Sequence, residues 1–231
     1  MYALDILIPT ARFVFAIEGD RVDVLSEHRS PEAFVGYQRL KAERELVAMT
    51  TFPNTILLRG PVTALVDPGM PLQNGPQVQA LRQRGRTVPD IDFIALTHAH
   101  FDHAGACWDI DRPVYVHRAE KSDPAWSAVA GILAAREVRW LDGDEGSLPG
   151  GIGWVRVAGH TEGSVCYLAE TEEGPVALVG DTIGPLRGSF DEMRPPEDCA
   201  SAPGLLAAWT TIRGLNARTI VPGHLPPFAP D

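Results

Sequence analysis

A chain of 231 residues with 45% hydrophobic content can bury a full core, and one domain spanning 1–231 is the simplest expectation. A formal net charge of −10 counts against nucleic acid as a partner, because counterion displacement needs a basic stripe. No apolar run reaches the roughly 18 residues of a membrane span, and residues 1–5 lack the basic start of a secretory signal, so a cytoplasmic protein without membrane contact is expected.

In chain order, short β-branched or alternating runs predict strands at 4–9, 12–17, 22–25, 55–59 and 63–66. The series continues at 91–96, 114–116, 153–157, 164–169, 176–179 and 219–221. Helical periodicity appears at 77–83, 126–136 and 205–214, so the fold class is mixed α/β with helices packed outside sheets. The run 37–46 reads as an exposed amphipathic segment that could cover a cleft or pair two copies as a homodimer. The Pro-rich, charged stretch 184–203 reads as a long ordered loop. Cys107, Cys166 and Cys199 have no paired short spacing, so they are expected to be reduced and mostly buried.

The chemistry starts after the strand at 91–96, in Thr97-His98-Ala99-His100-Phe101-Asp102-His103-Ala104-Gly105. Residues two apart in extended chain point the same way, so His98 and His100 can converge on one ion. Asp102 and His103 follow as the chain turns and suit a second ion beside the first. Three more donors end apolar runs: His160 after 154–158, Asp181 after 176–180 and His224 after 219–223. Each alone is common turn chemistry, whereas together they can furnish one cleft from several strand ends.

This set resembles the His-x-His-x-Asp-His signature and later ligands of the metallo-β-lactamase superfamily. The resemblance covers about 55–224 and implies a four-layer αββα sandwich. It implies that His98, His100 and His160 hold one metal, that Asp102, His103 and His224 hold a second, and that Asp181 bridges them. Asp67 resembles the strand-end aspartate that orients a ligand histidine. Mixed imidazole and carboxylate ligation suits two Zn ions, with Fe or Mn chemically reasonable. Two such ions about 3.5–4 Å apart would activate a bridging hydroxide, with Asp102 placed to handle a proton. The presence of Asp181 points away from true β-lactamases, and the acidic chain points away from the superfamily's nucleases. A hydrolase acting on a small ester, lactone or thioester is therefore expected. A phosphodiesterase or nuclease, or a mononuclear iron persulfide dioxygenase, is the alternative; residues 184–190 loosely resemble the latter.

Other residues invite functional readings. His117 ends the strand at 114–116 and is expected to be a hydrogen-bonded structural histidine, and His28 is expected at the surface. Phe101, Trp108 and Phe190 are candidates for core packing or for the wall of an apolar pocket. Arg187 and Arg194 could clamp a substrate carboxylate or phosphate, or lie solvated.

Overall fold

The computed structural model describes residues 1–18, 21–28, 47–71, 75–185, 187–197 and 199–230, with the backbone alone for 12–18, 21–28 and 47–51. The run 37–46 and the side chain of His28 lie outside the described set. In chain order the strands are β1 (Ala3–Ile8), β2 (Ala11–Glu18), β3 (Arg21–His28), β4 (Val47–Phe52), β5 (Thr55–Arg59), β6 (Thr63–Val66) and β7 (Phe93–Ala95). There follow β8 (Val114–His117), β9 (Val138–Leu141), β10 (Glu145–Leu148), β11 (Ile152–Arg156), β12 (Val165–Thr171), β13 (Gly174–Gly180) and β14 (Thr219–Pro222). The α-helices are α1 (Pro76–Gln83), α2 (Phe101–Ala104), α3 (Trp126–Ala134), α4 (Arg187–Asp191) and α5 (Ala202–Gly214).

The strands form a six-stranded sheet ordered β1-β5-β6-β7-β8-β9 and a five-stranded sheet ordered β10-β11-β12-β13-β14. A small antiparallel sheet, β3-β2-β4, stands apart from both ladders. Period-two alternation explains how the two large sheets stack. Ala64 and Val66 of β6 meet Val165, Tyr167 and Leu178 of the other sheet in a shared core, while Leu65 turns to the opposite face. On that opposite face Leu65, Ile94 and Val116 pack with Leu81 of α1 and Val129 and Leu133 of α3. On the far side, Cys166, Ala177 and Val179 pack under Leu205, Trp209 and Ile212 of α5. The result is helix–sheet–sheet–helix, the αββα sandwich that the sequence implies. Strands covered on both faces read as near-continuous apolar runs, and each fully buried Leu or Val in them stabilises the fold by about 1.5–3 kcal/mol.

The register also places the chemistry. β6, β7 and β8 run parallel, as do β13 and β14, so several carboxyl ends emerge at one edge of the sandwich. A backbone hydrogen bond from Val165 N to Thr97 O (2.8 Å) joins the sheets there.

β4, β9 and β10 were not anticipated. β9 and β10 carry mainly exposed or half-buried positions, so their sequences lack an apolar stripe. α5 begins at Ala202 because Ser201 caps it by accepting from Gly204 N at 3.1 Å, with Pro203 in the first turn. The expected long loop 184–203 thus contains a short helix, α4, and the start of α5. Cys107 and Cys166 are buried, Cys199 is half-buried, and all three are free thiols. Among the described residues no helix is long and apolar enough to cross a membrane.

Candidate metal centre

The site is assembled on a buried frame. Asp67, just past β6, adopts a left-handed φ of 48°, costly for a residue with a Cβ. That turn sends its carboxylate back to accept from Thr97 N (2.8 Å) and Thr97 Oγ1 (2.6 Å). The same carboxylate meets His103 Nδ1 at 2.9 Å, which fixes that ring and leaves Nε2 facing the site. Thr97 Oγ1 in turn lies 3.1 Å from His98 Nδ1. Two glycines let the remaining donors approach. Gly180 has φ 51°, and a Cβ there would collide with Thr97 Oγ1. A Cβ on Gly223 would collide with Asp181 Oδ1 and come within 2.8 Å of His103 Cε1.

All seven expected donors come together, in two groups. His98, His100 and His160 form one, and Asp102, His103, Asp181 and His224 form the other, with potential ligand atoms in each within 4.8 Å of one another. His160 Nε2 lies 3.0 Å from His100 Nδ1. In the second group Asp181 approaches His103 Nε2 at 3.2 Å and His224 Nε2 at 3.3 Å, while Asp102 meets His224 Nε2 at 3.1 Å. Asp181 Oδ2 is also 3.9 Å from His160 Nε2, so this carboxylate lies between the groups.

Burial pushes the His98 imidazole well below its ordinary range and His160 down to about 4, keeping both neutral. Burial also opposes charge on His103 and His224, yet Asp181, with Asp67 beside the first and Asp102 beside the second, outweighs it and raises both. Asp181 is held well below the usual carboxylate range: burial acts upward, and the facing His224 and His103 outweigh it. Among the described residues the buried His98 Nε2 makes no hydrogen bond, and His103 Nε2 and Asp181 Oδ1 have no partner of hydrogen-bond geometry beyond facing each other at 3.2 Å. Such orphaned polar atoms are costly unless something sits among them. Imidazole lone pairs and ionised carboxylates are the donors a divalent cation requires, so these residues fit metal.

Two positions escaped the sequence reading. Glu120 is fully buried and accepts from Ala99 N (2.7 Å) and Thr161 Oγ1 (2.5 Å), with a further backbone hydrogen bond from Gly163. It therefore ties the loop carrying His98 and His100 to the loop carrying His160. Within the charged stretch 118–123 it carries no mark of burial. Asp123 lies 3.8 Å from His100 Nε2, on the side of the ring away from His160.

A cavity of about 500 Å³ opens beside the donors. Its lining includes His100, Asp123, His160 and Asp181 together with Pro185, Pro196, Leu205 and Trp209. Neither Arg187 nor Arg194 lines it. Arg187 pairs with Asp191 at 2.9 Å and stacks over Phe228, and Arg194 pairs with Glu192 at 3.2 Å. Phe190 belongs to the core against Trp209 and Phe228, whereas Phe101 and Trp108 are exposed. His117 is structural in its contacts: Nε2 meets Gly143 O at 2.9 Å and Nδ1 accepts from Ala119 N at 3.2 Å.

The Metallo-beta-lactamase superfamily family model matches residues 49–224, the span that carries every donor. The chain belongs to the metallo-β-lactamase superfamily. Among superfamily relatives, "Metallo-beta-lactamase domain-containing protein 1" of Xenopus laevis is 33% identical over 178 residues, covering 74% of this chain and 70% of that protein. An N-acyl homoserine lactonase of Bacillus sp is 35% identical over 109 residues, 45% of this chain and 43% of the lactonase. In solved structures the superfamily fold recurs in AidC, a dizinc quorum-quenching lactonase, with TM-score 0.63 and 18% identity over 97% of this chain and 85% of that one. The chain is a superfamily hydrolase whose histidine and aspartate groups can hold divalent metal.

Proposed function

We propose that this protein hydrolyses a small ester, lactone or thioester at a centre of two zinc ions. His98, His100 and His160 would hold one ion and Asp102, His103 and His224 the other, with Asp181 shared. When bound, such ions supply Lewis acidity that brings water towards neutral pKa and polarises an acyl carbonyl. Asp67 orients His103 through the 2.9 Å contact to Nδ1. Asp102 is a quarter exposed beside the second donor group, where it can take up or return a proton as the leaving group departs. The N-acyl homoserine lactonase among the relatives supports an acyl substrate, and the acidic chain, with no arginine or lysine on the cavity among the described residues, supports a small one.

The observation that carries this reading is the position of Asp181, between two donor groups and on the wall of a largely apolar cavity. The test is metal analysis of the purified protein together with a screen of lactones, esters, thioesters, bis(p-nitrophenyl) phosphate and single-stranded RNA. About two zinc per chain with turnover of an acyl substrate is the expected result. Cleavage of phosphodiesters alone would replace the reading with the nuclease one, and one iron per chain with no hydrolysis would replace it with the dioxygenase one.

A further inference from the structure

We infer that Asn54 is a positioning residue for the metal centre, whose side-chain amide fixes the loop that presents His224 to Asp102 and Asp181. The inference rests on the reading of His224 as a metal donor and extends it to a residue in neither donor group.

The chain around His224 creates the need for such a residue. β14 ends at Pro222 and has only β13 beside it in the sheet. Ile220 N donates to Phe228 O (2.8 Å) and Phe228 N to Ile220 O (3.0 Å), which closes a loop with His224 at its midpoint. Pro222, Gly223 and Leu225 are buried, so their carbonyls need donors from the protein. The loop can supply little itself, because Pro222 has no N–H and Gly223 N donates to Gly180 O at 2.8 Å.

Asn54 supplies all three donors. Its backbone N donates to Gly223 O at 2.7 Å, and its Nδ2 donates to Pro222 O at 2.8 Å and to Leu225 O at 2.7 Å. His224 is thereby bracketed on both sides along the chain. Asn54 Oδ1 accepts from Thr10 N at 2.9 Å, so the nitrogen faces two acceptors and the oxygen a donor, an arrangement that a carboxylate cannot reproduce. Asn54 is fully buried and directly precedes β5, whose Ile56 pairs with Val66 at the end of β6, the strand that leads to Asp67. It therefore ties the six-stranded sheet to the His224 loop of the five-stranded one, at the edge where the donors gather. His224 Nε2 stands 3.1 Å from Asp102 and 3.3 Å from Asp181, and both separations depend on where that loop is held.

Chelator competition on the zinc-loaded protein tests this without reference to turnover. Asn54→Asp keeps the shape but sets an acceptor against two carbonyls, and Asn54→Ala removes the amide. In both, one of the two zinc ions should be released at about 10- to 100-fold lower chelator concentration, a milder form of the loss in His224→Ala, with the other held as in the wild type. Leu133→Ala, in the core on α3, should lower Tm without altering the release of either ion, which separates positioning from general loosening. If Asn54→Ala does not fold, Asn54→Ser, whose hydroxyl can replace a single donor, takes its place and is held to the same outcome. Wild-type release of both ions from the folded Asn54 variants, or matching release from Leu133→Ala, would overturn the assignment while leaving His224 a donor. If His224→Ala itself retains both zinc ions, His224 is no donor and both readings fall.

Discussion

The two donor groups touch, yet they are built on opposite electrostatic principles. His98, His100 and His160 are three imidazoles with no carboxylate among them, and burial holds His98 and His160 neutral. The second group places two carboxylates against two imidazoles, so His103 and His224 are held on the protonated side and Asp181 stays ionised. The first group is therefore preset for a cation by desolvation. The second is preset by negative charge, and a cation entering it must displace protons. Asp181 is where the difference is resolved, because it belongs to the charged group and reaches 3.9 Å from the neutral one.

The largest effect should follow from cutting that link. Asp181→Ala removes the shared carboxylate and leaves His103 and His224 facing each other without their main counter-charge. At least one metal should be lost per chain, and hydrolysis should fall by on the order of a hundredfold or more, with the fold intact by circular dichroism. A variant that keeps two metals and full activity would show that Asp181 does not join the groups. Metal content by elemental analysis decides the point independently of turnover.

The strand ends that carry the seven donors and the mixed α/β class were legible from local pattern, while the ligand set and the αββα layering followed from the resemblance to the superfamily. His98 and His100 are two apart at a strand end, and β6, β12 and β13 are covered on both faces and so read as apolar runs. What holds the donors was legible only in part. Asp67 could be matched to a motif, but Glu120 could not, because its partners Ala99, Thr161 and Gly163 are distant in sequence and its own neighbourhood is charged. β9 and β10 were missed for a related reason: they are paired through their backbones while their side chains face mostly solvent. Long-range pairing of this kind leaves no periodic signature.

Glu120 gives the middle-sized prediction and tests how the neutral group is held. Glu120→Ala orphans the backbone donors of Ala99 and Gly163, each worth about 1–3 kcal/mol, leaves the Thr161 hydroxyl only Ser164 Oγ at 2.7 Å, and should weaken metal retention by the imidazole group. Glu120→Gln can still accept from Ala99 N and should restore part of that retention; no difference between the two variants would count against a positioning role. The pH dependence sharpens the test. Burial raises the Glu120 carboxyl from 4.5 to about 7, so the folded chain binds this proton more tightly than the unfolded chain does. Its stabilising contribution is then complete below the unfolded value and is lost as pH rises through the folded one. Relative to Glu120→Gln, the wild-type Tm should fall between about pH 5 and about pH 8. Parallel Tm profiles would show that Glu120 titrates normally.

The smallest effect should come from His117, a histidine near the site that belongs to neither group. Its Nδ1 accepts from Ala119 N, so it caps the short turn that follows β8, and its Nε2 meets Gly143 O across to the next loop. Both nitrogens are thereby used in packing, and the ring also stands edge-on to Trp154 at 5.9 Å. Asn at this position can keep the cap, because its side-chain oxygen suits a donor two residues on, but it gives up the Gly143 contact and the ring. His117→Asn should therefore lower stability by about 1–2 kcal/mol. Metal stoichiometry should stay unchanged, and activity should fall far less than in His100→Ala, which removes a member of the three-imidazole group. The Glu120 hydrogen bonds that hold that group's loops do not pass through His117, which is the physical reason for the separation. Equal metal loss from His117→Asn and His100→Ala would mean that the boundary between donors and scaffold runs on the other side of His117.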